Sequence, residues 1–399
     1  MLITICGGGN AAHTLAGLLA SQEGIRVHMY LPYGDEAERW RKGVRQEGGM
    51  RVLGAAGEKM GLPERISADA AEVIPGSQLV VLALPAFAHE AMVRSMVGYL
   101  DRDVWIGAFP ARGGFDLCVK DVLKERTSRV TIFGLQTLPW ACRIEAFGRQ
   151  VRILGSKARV DVAAQPAGQV GEICEFLVDV LGVPMAAVPE FLSLTLAGTG
   201  QIIHPGVMFG LFHDWNGQAY EQAPLFYQGI DDFTVGVLQR MSDEIQEVRE
   251  GLEANFPALD LFAVRPLEEW LLNAYAGTIE DAGSLKDCFV TNSSYAGLKA
   301  PVKPARGGWV PDFQARYLAE DLPYALLVTR GIAELAGIAT PQIDEVILWG
   351  QERLGKTYLS AGKLQRADLH ASHAPQRFGY ADIEELVGVY VREGAVEVD

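Results

Sequence analysis

The apolar run Leu2–Cys6 passes without a break into Gly7-Gly8-Gly9-Asn10-Ala11-Ala12, and the chain then carries Leu15, Leu18 and Leu19 at helical spacing. A strand that enters a GxGxxA loop and leaves it as a helix is the feature that most restricts the fold, because it opens a wound β-α-β unit. Gly7 allows the tight turn, Gly9 removes a side chain where a pyrophosphate must approach the backbone, and Ala12 lets helix and strand pack closely. The helix start, from Asn10, then offers free amides and the positive end of its dipole to phosphate oxygens. A glycine loop that merely turns a corner is the bland alternative, and the position of this one at the head of a wound sheet counts against it.

The second signal of a dinucleotide site, an acid that ends the second strand and holds the ribose hydroxyls, is displaced here. Tyr30-Leu31-Pro32-Tyr33-Gly34 intervene before Asp35, the candidate, while Arg39 and Arg41 could instead favour a 2′-phosphate. The expected cofactor is therefore NAD, with NADP left open.

Short β-branched runs at 2–6, 26–31, 79–84, 104–109, 130–135 and 151–154 alternate with helical patterns such as 87–100, the signature of a doubly wound parallel sheet. Several are continuously apolar, as strands covered on both faces must be. From about residue 190 the strand signal fades. A helical stripe of Ile230, Phe233, Val237, Met241, Ile245, Val248 and Leu252 takes over. The expected architecture is α/β: a Rossmann-type domain over 1–190 and a mostly α-helical domain over 191–399, with the boundary near Pro189. The polar stretch 366–377, which holds His370 and His373, reads as a surface loop.

The chain is 49% hydrophobic with a formal net charge of −15, so it can bury large cores but presents no basic field to nucleic acid or to anionic membranes. No apolar stretch of about 18 residues occurs, and the start carries no positive leader. Cys6, Cys118, Cys142, Cys174 and Cys288 are scattered, without the spacing of a metal site, and read as free thiols in a reducing cytoplasm.

Hydride chemistry at a C–O or C–N centre needs a proton donor, and histidine suits it because its pKa lies near neutrality. His13, His28, His89, His370 and His373 read as packing or surface residues. His204 differs, because Thr199-Gly200-Gln201-Ile202-Ile203-His204-Pro205-Gly206 places it at the end of an apolar segment just inside the second domain, where it would face an interdomain cleft. A core histidine capped by a carbonyl is the competing reading. In Arg316-Tyr317-Leu318-Ala319-Glu320-Asp321-Leu322-Pro323, Arg316 and Glu320 suit a surface ion pair and Asp321 a helix cap, while Asp321 could equally serve as the imidazole's carboxylate partner.

The strings CGGGNAAHTLAG, PAFAHE, TLPWACRI, IHPGVMFG, APLFYQGID and RYLAEDLP, in this order along almost the whole chain, resemble those of the opine dehydrogenases. That resemblance implies an enzyme with a Rossmann domain and a helical opine domain. It would condense an L-amino acid with a 2-oxo acid such as pyruvate and reduce the imine with NADH, as a monomer or homodimer. It further implies His204 as the acid/base, Asp321 as its partner and Arg316 at the cofactor pyrophosphate. Thr137 would hold the oxo acid, with Cys142 and Trp270 near the amino-acid site. The sequence departs from the family pattern at Arg112, where a glutamine is expected; a guanidinium there could grip a substrate carboxylate bidentately.

Two rivals stand beside this reading. A hydroxyacid or ketopantoate type of dehydrogenase would activate its carbonyl with a lysine in a KxxxN helix, yet no lysine here is followed four places later by asparagine. A dinucleotide-binding protein without catalysis would have no need of His204, Arg316 and Asp321 together.

Overall fold

Residues 1–111 and 115–194 form one unit, and residues 112–114 and 195–391 form a second. The structure, a computed structural model, describes residues 1–55 and 57–391. In the first unit the strands are β1 Leu2–Cys6, β2 Arg26–Tyr30, β3 Met50–Gly54, β4 Gly57–Gly61, β5 Arg65–Ser67, β6 Leu79–Leu82, β7 Val104–Ala108, β8 Val130–Leu135, β9 Trp140–Ala146, β10 Gln150–Ser156, β11 Val160–Gln165 and β12 Met185–Ala187. Its helices are α1 Asn10–Leu19, α2 Glu36–Glu47, α3 Ala70–Val73, α4 His89–Met96, α5 Phe115–Leu123 and α6 Val170–Leu181.

The main sheet runs β12-β11-β8-β7-β6-β1-β2-β5, with β5 through β8 mutually parallel and β11 antiparallel to β8. Strand order reverses between β1 and β6, so their carboxyl ends, at Cys6 and Leu82, flank the switch point where such sheets take ligands. This is the doubly wound Rossmann arrangement expected from the alternation. The apolar runs are buried on both faces, all five residues of β1 and all four of β6 among them.

The run at 151–154 is not part of that sheet. It lies in β10, within a separate four-stranded sheet β4-β3-β10-β9, paired antiparallel to β9 and parallel to β3. Val151 is sealed while Arg152 and Leu154 are exposed, so the strand is covered on one face only. Both α1 and this small sheet meet through Gly17, whose missing side chain makes room for Val52 and the Met50 carbonyl.

The second unit is mostly helical, as the loss of strand signal suggests. A short α7, Phe191–Leu196, straddles the join. It is followed by α8 Gly200–Phe212, α9 Asp232–Asn255, α10 Leu267–Ala274, α11 Leu285–Val290, α12 Arg316–Ala319, α13 Leu327–Ala336, α14 Pro341–Leu354, α15 Arg366–Leu369 and α16 Ile383–Val391, with two small hairpins between them. The apolar stripe forms most of α9, capped by the Asp231 carboxylate on the Thr234 amide; Phe233 alone of that stripe is well exposed. Helix α8 approaches α9 closely because Gly206 faces Leu238 and Gly210 faces Thr234, where a Cβ would come within 2.7 and 2.3 Å respectively.

The polar stretch 366–377 is not a surface loop throughout. Ser372 and His373 are buried, and His373 Nδ1 donates to the Gly113 carbonyl at 3.2 Å. Polar composition misleads here because the side chains are satisfied inside the fold by backbone groups.

Candidate active site

The glycine loop has the form its sequence implies. Gly7 adopts φ +112°, and a Cβ there would stand 2.5 Å from Leu84 Cδ2 and 2.7 Å from the Ala83 carbonyl, so no other residue fits without movement. A Cβ on Gly9 would meet nothing within 4 Å, and Gly9 caps α1 in an extended conformation with no side-chain bond to the first-turn amides. The loop thus leaves open space before uncapped N–H groups, which is what a dinucleotide pyrophosphate requires. Ala12 is fully buried beneath it.

The Asn10 side chain also ties the loop to the small sheet. Its Oδ1 accepts the Ile144 amide at 2.8 Å, tying the start of α1 to β9. His13, one turn on, is packed rather than exposed, between Trp40 and Phe147; Nδ1 donates to the Gly9 carbonyl and Nε2 accepts the Gly148 amide at 2.9 Å.

The acid beside the loop is Glu36 instead of Asp35. Asp35 is exposed and pairs with Arg39 at 3.7 Å, whereas the Glu36 carboxylate faces Gly8 so closely that a Cβ there would lie 2.7 Å from Oε1. Partial burial raises the Glu36 carboxyl above the usual carboxylate range, against the opposing pull of Arg39. Neither nearby guanidinium is arranged for a 2′-phosphate: Arg39 lies 4.1 Å over the Phe147 ring, and Arg41 donates to the Ile66 carbonyl. Sequence spacing missed Glu36 because the loop after β2 is longer than usual and α2 begins by turning its first carboxylate back toward the glycines.

In the second unit His204 sits on α8 just before Pro205, which lacks the N–H of an ordinary helical residue. Its Nδ1 donates to Asp321 Oδ2 at 2.8 Å. The imidazole stacks on Tyr317 with ring centroids 4.0 Å apart, and Nε2 lies 3.5 Å from the Tyr227 hydroxyl. With Nδ1 bonded to the carboxylate, Nε2 is the nitrogen available to a reacting group, so His204 is not the carbonyl-capped core histidine of the competing reading. Burial raises the Tyr227 phenol well above its ordinary range, so its hydroxyl keeps its proton.

Asp321 precedes a widened, π-helical turn, Leu322–Leu326, in which Pro323 cannot make the normal helical bond. That turn leaves Glu320 and Asp321 side by side, both buried. Each is matched by an arginine: Arg316 Nε donates to Glu320, and Arg112 Nη2 lies 3.2 Å from Asp321 Oδ1. Burial by itself would raise the Asp321 carboxyl, but Arg112, His204 and Arg316 together hold it below the usual carboxylate range. Arg316 and Glu320 do form the i, i+4 pair read from spacing, and the Arg316 side chain stays 59% exposed.

The remaining candidates are scattered more widely. Arg112 lies against the protein's own carboxylates, 3.2 Å from Asp321 and 3.8 Å from Glu320. Thr137 is half-buried in the bend after β8, in the first unit. Cys142 lies in the same unit, sealed with Val52 and Val151 in the small sheet, and burial raises its thiol; as an amino-acid contact it has almost no accessible surface. Trp270 is half-buried on α10 at the outer end of a ring series, edge-on to Tyr275, which meets Tyr295, which stacks on Tyr227. Tyr227 and Tyr317, inside strings that carry the resemblance, escaped notice because aromatic residues in apolar strings read as core.

A cavity of about 550 Å³ lined by Leu18, Gln22, Trp140, Ile153 and Leu181 lies at the C-terminal end of α1, in the first unit.

A dinucleotide loop at the switch point of a wound sheet, together with a carboxylate-oriented histidine on a helical unit, defines a nicotinamide-dependent oxidoreductase. The profile of the NAD/NADP octopine/nopaline dehydrogenase alpha-helical domain matches residues 187–354. Octopine dehydrogenase of Pecten maximus is 36% identical, covering 96% of this chain and 98% of its own, and tauropine dehydrogenase of Arabella iricolor is 32% identical over 97% and 100%. A solved octopine dehydrogenase complex with NADH and L-arginine superposes with a TM-score of 0.92 at 35% identity, over 98% of both chains. The chain belongs to the opine dehydrogenase family. It is an NAD-dependent oxidoreductase that acts on a CH–NH bond, joining an amino acid to a 2-oxo acid reductively. Among the described residues no helix is long and apolar enough to cross a membrane.

Proposed function

We propose that the chain condenses an L-amino acid with pyruvate, or an oxo acid of similar size, and reduces the imine to an N-(carboxyalkyl)amino acid, with His204 as acid/base and Asp321 as its partner. The observation that supports this most directly is the 2.8 Å bond from His204 Nδ1 to Asp321, which leaves Nε2 for the substrate. In balance, amine, oxo acid, NADH and one proton yield opine, NAD⁺ and water.

The open loop at Gly7 and Gly9 and the first-turn amides of α1 hold the pyrophosphate, with the exposed fork of Arg316 as a further contact. Glu36 accepts the ribose hydroxyls and repels a 2′-phosphate, which accounts for NAD over NADP. NADH bound there supplies the hydride. Nε2 of His204 gives its proton to the hydroxyl that leaves as water when the amine adduct collapses to the imine, and takes one up in the reverse direction. Asp321 fixes the tautomer and stabilises the imidazolium between these events. Thr137 is the proposed oxo-acid contact. The rings of Trp270 and Tyr275 offer the amino-acid side chain a flat face, which suits a guanidinium or another long side chain better than glycine. All five cysteines are free and buried, in keeping with a cytoplasmic protein, and the His204 constellation comes from one chain, so a monomer suffices.

The test is NADH oxidation with purified protein and pyruvate, with and without a panel of L-amino acids. Consumption that needs both substrates, with arginine ahead of glycine, is expected. His204→Ala should lower turnover by about 10²-fold or more while NADH still binds. Consumption with the oxo acid alone would replace this reading with that of a hydroxyacid dehydrogenase.

A further inference from the structure

Arg112, where the resemblance leads to an expected glutamine, has a defined place in the structure. Residues 112–114 belong to the helical unit although the sequence on both sides of them belongs to the other. Gly114 adopts φ +66° with its amide directed at Thr195 Oγ1, and a Cβ there would lie 2.6 Å from the His373 carbonyl; the Gly113 carbonyl accepts His373 Nδ1. This short segment is therefore pinned, and the guanidinium it carries is only 21% exposed.

Three groups converge beside Gly200. A Cβ on that residue would stand 3.1 Å from Arg112 Nη1, 3.6 Å from Asp321 Oδ1 and 3.7 Å from His204 Nδ1, so the missing side chain is what lets guanidinium, carboxylate and imidazole share one slot. Arg112 Nη2 forms an ion pair with Asp321 Oδ1 at 3.2 Å without hydrogen-bond geometry, and Arg112 Nε lies 3.8 Å from Glu320 Oε1. The imidazole bonds the other oxygen of Asp321. The charged and titratable groups around it are thus Asp321, Glu320, Arg112, Arg316, Tyr317 and Tyr227.

We propose that Arg112 is a positioning residue for the acid/base pair: its guanidinium holds Asp321 as an oriented carboxylate, whose other oxygen fixes the His204 imidazole. This rests on the reading of His204 as the acid/base. A buried carboxylate without a cation tends to take up a proton, and a protonated Asp321 no longer dictates which imidazole nitrogen carries hydrogen. With the arginine in place, Asp321 stays ionised to lower pH than it would beside the imidazole alone.

The experiment compares pH profiles of kcat/KM for wild type, Arg112→Gln and Arg112→Lys, with thermal unfolding and NADH binding as controls. Arg112→Gln should move the acidic limb of the profile upward by about one pH unit, because the cation that keeps Asp321 ionised has been removed, and Arg112→Lys should restore most of it. KM for both substrates should change little. An unmoved profile together with a KM for the oxo acid or the amino acid raised about ten-fold would overturn the proposal and return Arg112 to substrate binding. If Arg112→Gln does not fold, ¹⁵N imidazole spectra of the wild-type protein decide: neutral His204 protonated on Nδ1 supports the arrangement, and protonation on Nε2 overturns it. Loss of turnover in His204→Ala with an unmoved Arg112→Gln profile would sink the arginine's role alone, whereas retained turnover in His204→Ala would sink the acid/base reading itself.

Discussion

His13 has both ring nitrogens committed, Nδ1 to the Gly9 carbonyl and Nε2 to the Gly148 amide, and burial lowers its pKa from 6.5 to about 4 despite the Gly9 bond. Protonation would cost the Gly148 bond and place a charge among Trp40 and Phe147. Below pH 6.5 the unfolded chain takes up a proton that the folded one refuses, so this stabilisation is complete above 6.5 and drains away down to about 4. The loss is roughly 3 kcal/mol, and denaturant midpoints measured at several pH values should show it shrink in His13→Gln. Glu36 is a second residue with a consequence of its own. Glu36→Ala should reduce the preference for NADH over NADPH by about 10-fold or more, read from KM ratios, since a like charge no longer opposes the 2′-phosphate. Asp321→Asn should lower kcat by about 10³-fold with little change in NADH affinity, because an amide can favour the wrong imidazole tautomer. At this scale Gly7, Gly9 and Ala12 were legible from motif and spacing, while His204 and Asp321 were singled out by resemblance to the opine dehydrogenases. Glu36, Tyr227 and the true partner of Arg112 were not, because each acquires its role from a neighbour far away in sequence.

The helix that carries His204 is placed by its packing on α9. Gly206 and Gly210 are one turn apart on α8, and the second admits the Thr234 side chain, whose Oγ1 would lie 2.3 Å from any Cβ at position 210. Gly210→Ala should therefore cost about 1–3 kcal/mol, visible as a lower Tm, and should reduce activity as α8 is forced away from α9. Elements with one clear periodicity were readable in advance, α9 and the doubly covered strands above all. The run at 151–154 was assigned to the wrong sheet because four apolar residues do not say which partner strand they pair with. The stretch 366–377 misled for the converse reason: its polar groups find backbone partners only once Gly113 has been brought beside His373.

Across the whole molecule, the net charge of −15 confronts an oxo acid and a cofactor that are anions themselves. Local cations such as Arg316 must act against that field. Raising ionic strength from about 10 to 150 mM should therefore lower KM for the oxo acid, since it screens long-range repulsion more than contacts within the site. A KM that instead rises with salt would mean that local cations dominate capture.

The amino-acid sequence by itself determined the wound sheet, the dinucleotide loop and the helical second half, because these depend on local periodicity and on glycine's freedom at Gly7. It also supplied a histidine and an aspartate 117 positions apart. Only the tertiary structure decided that they share a proton, that Arg112 joins them, and that Glu36 rather than Asp35 faces the loop. Such pairings depend on distances of a few ångströms between side chains, and those are set by how helices and sheets pack, which no local pattern encodes.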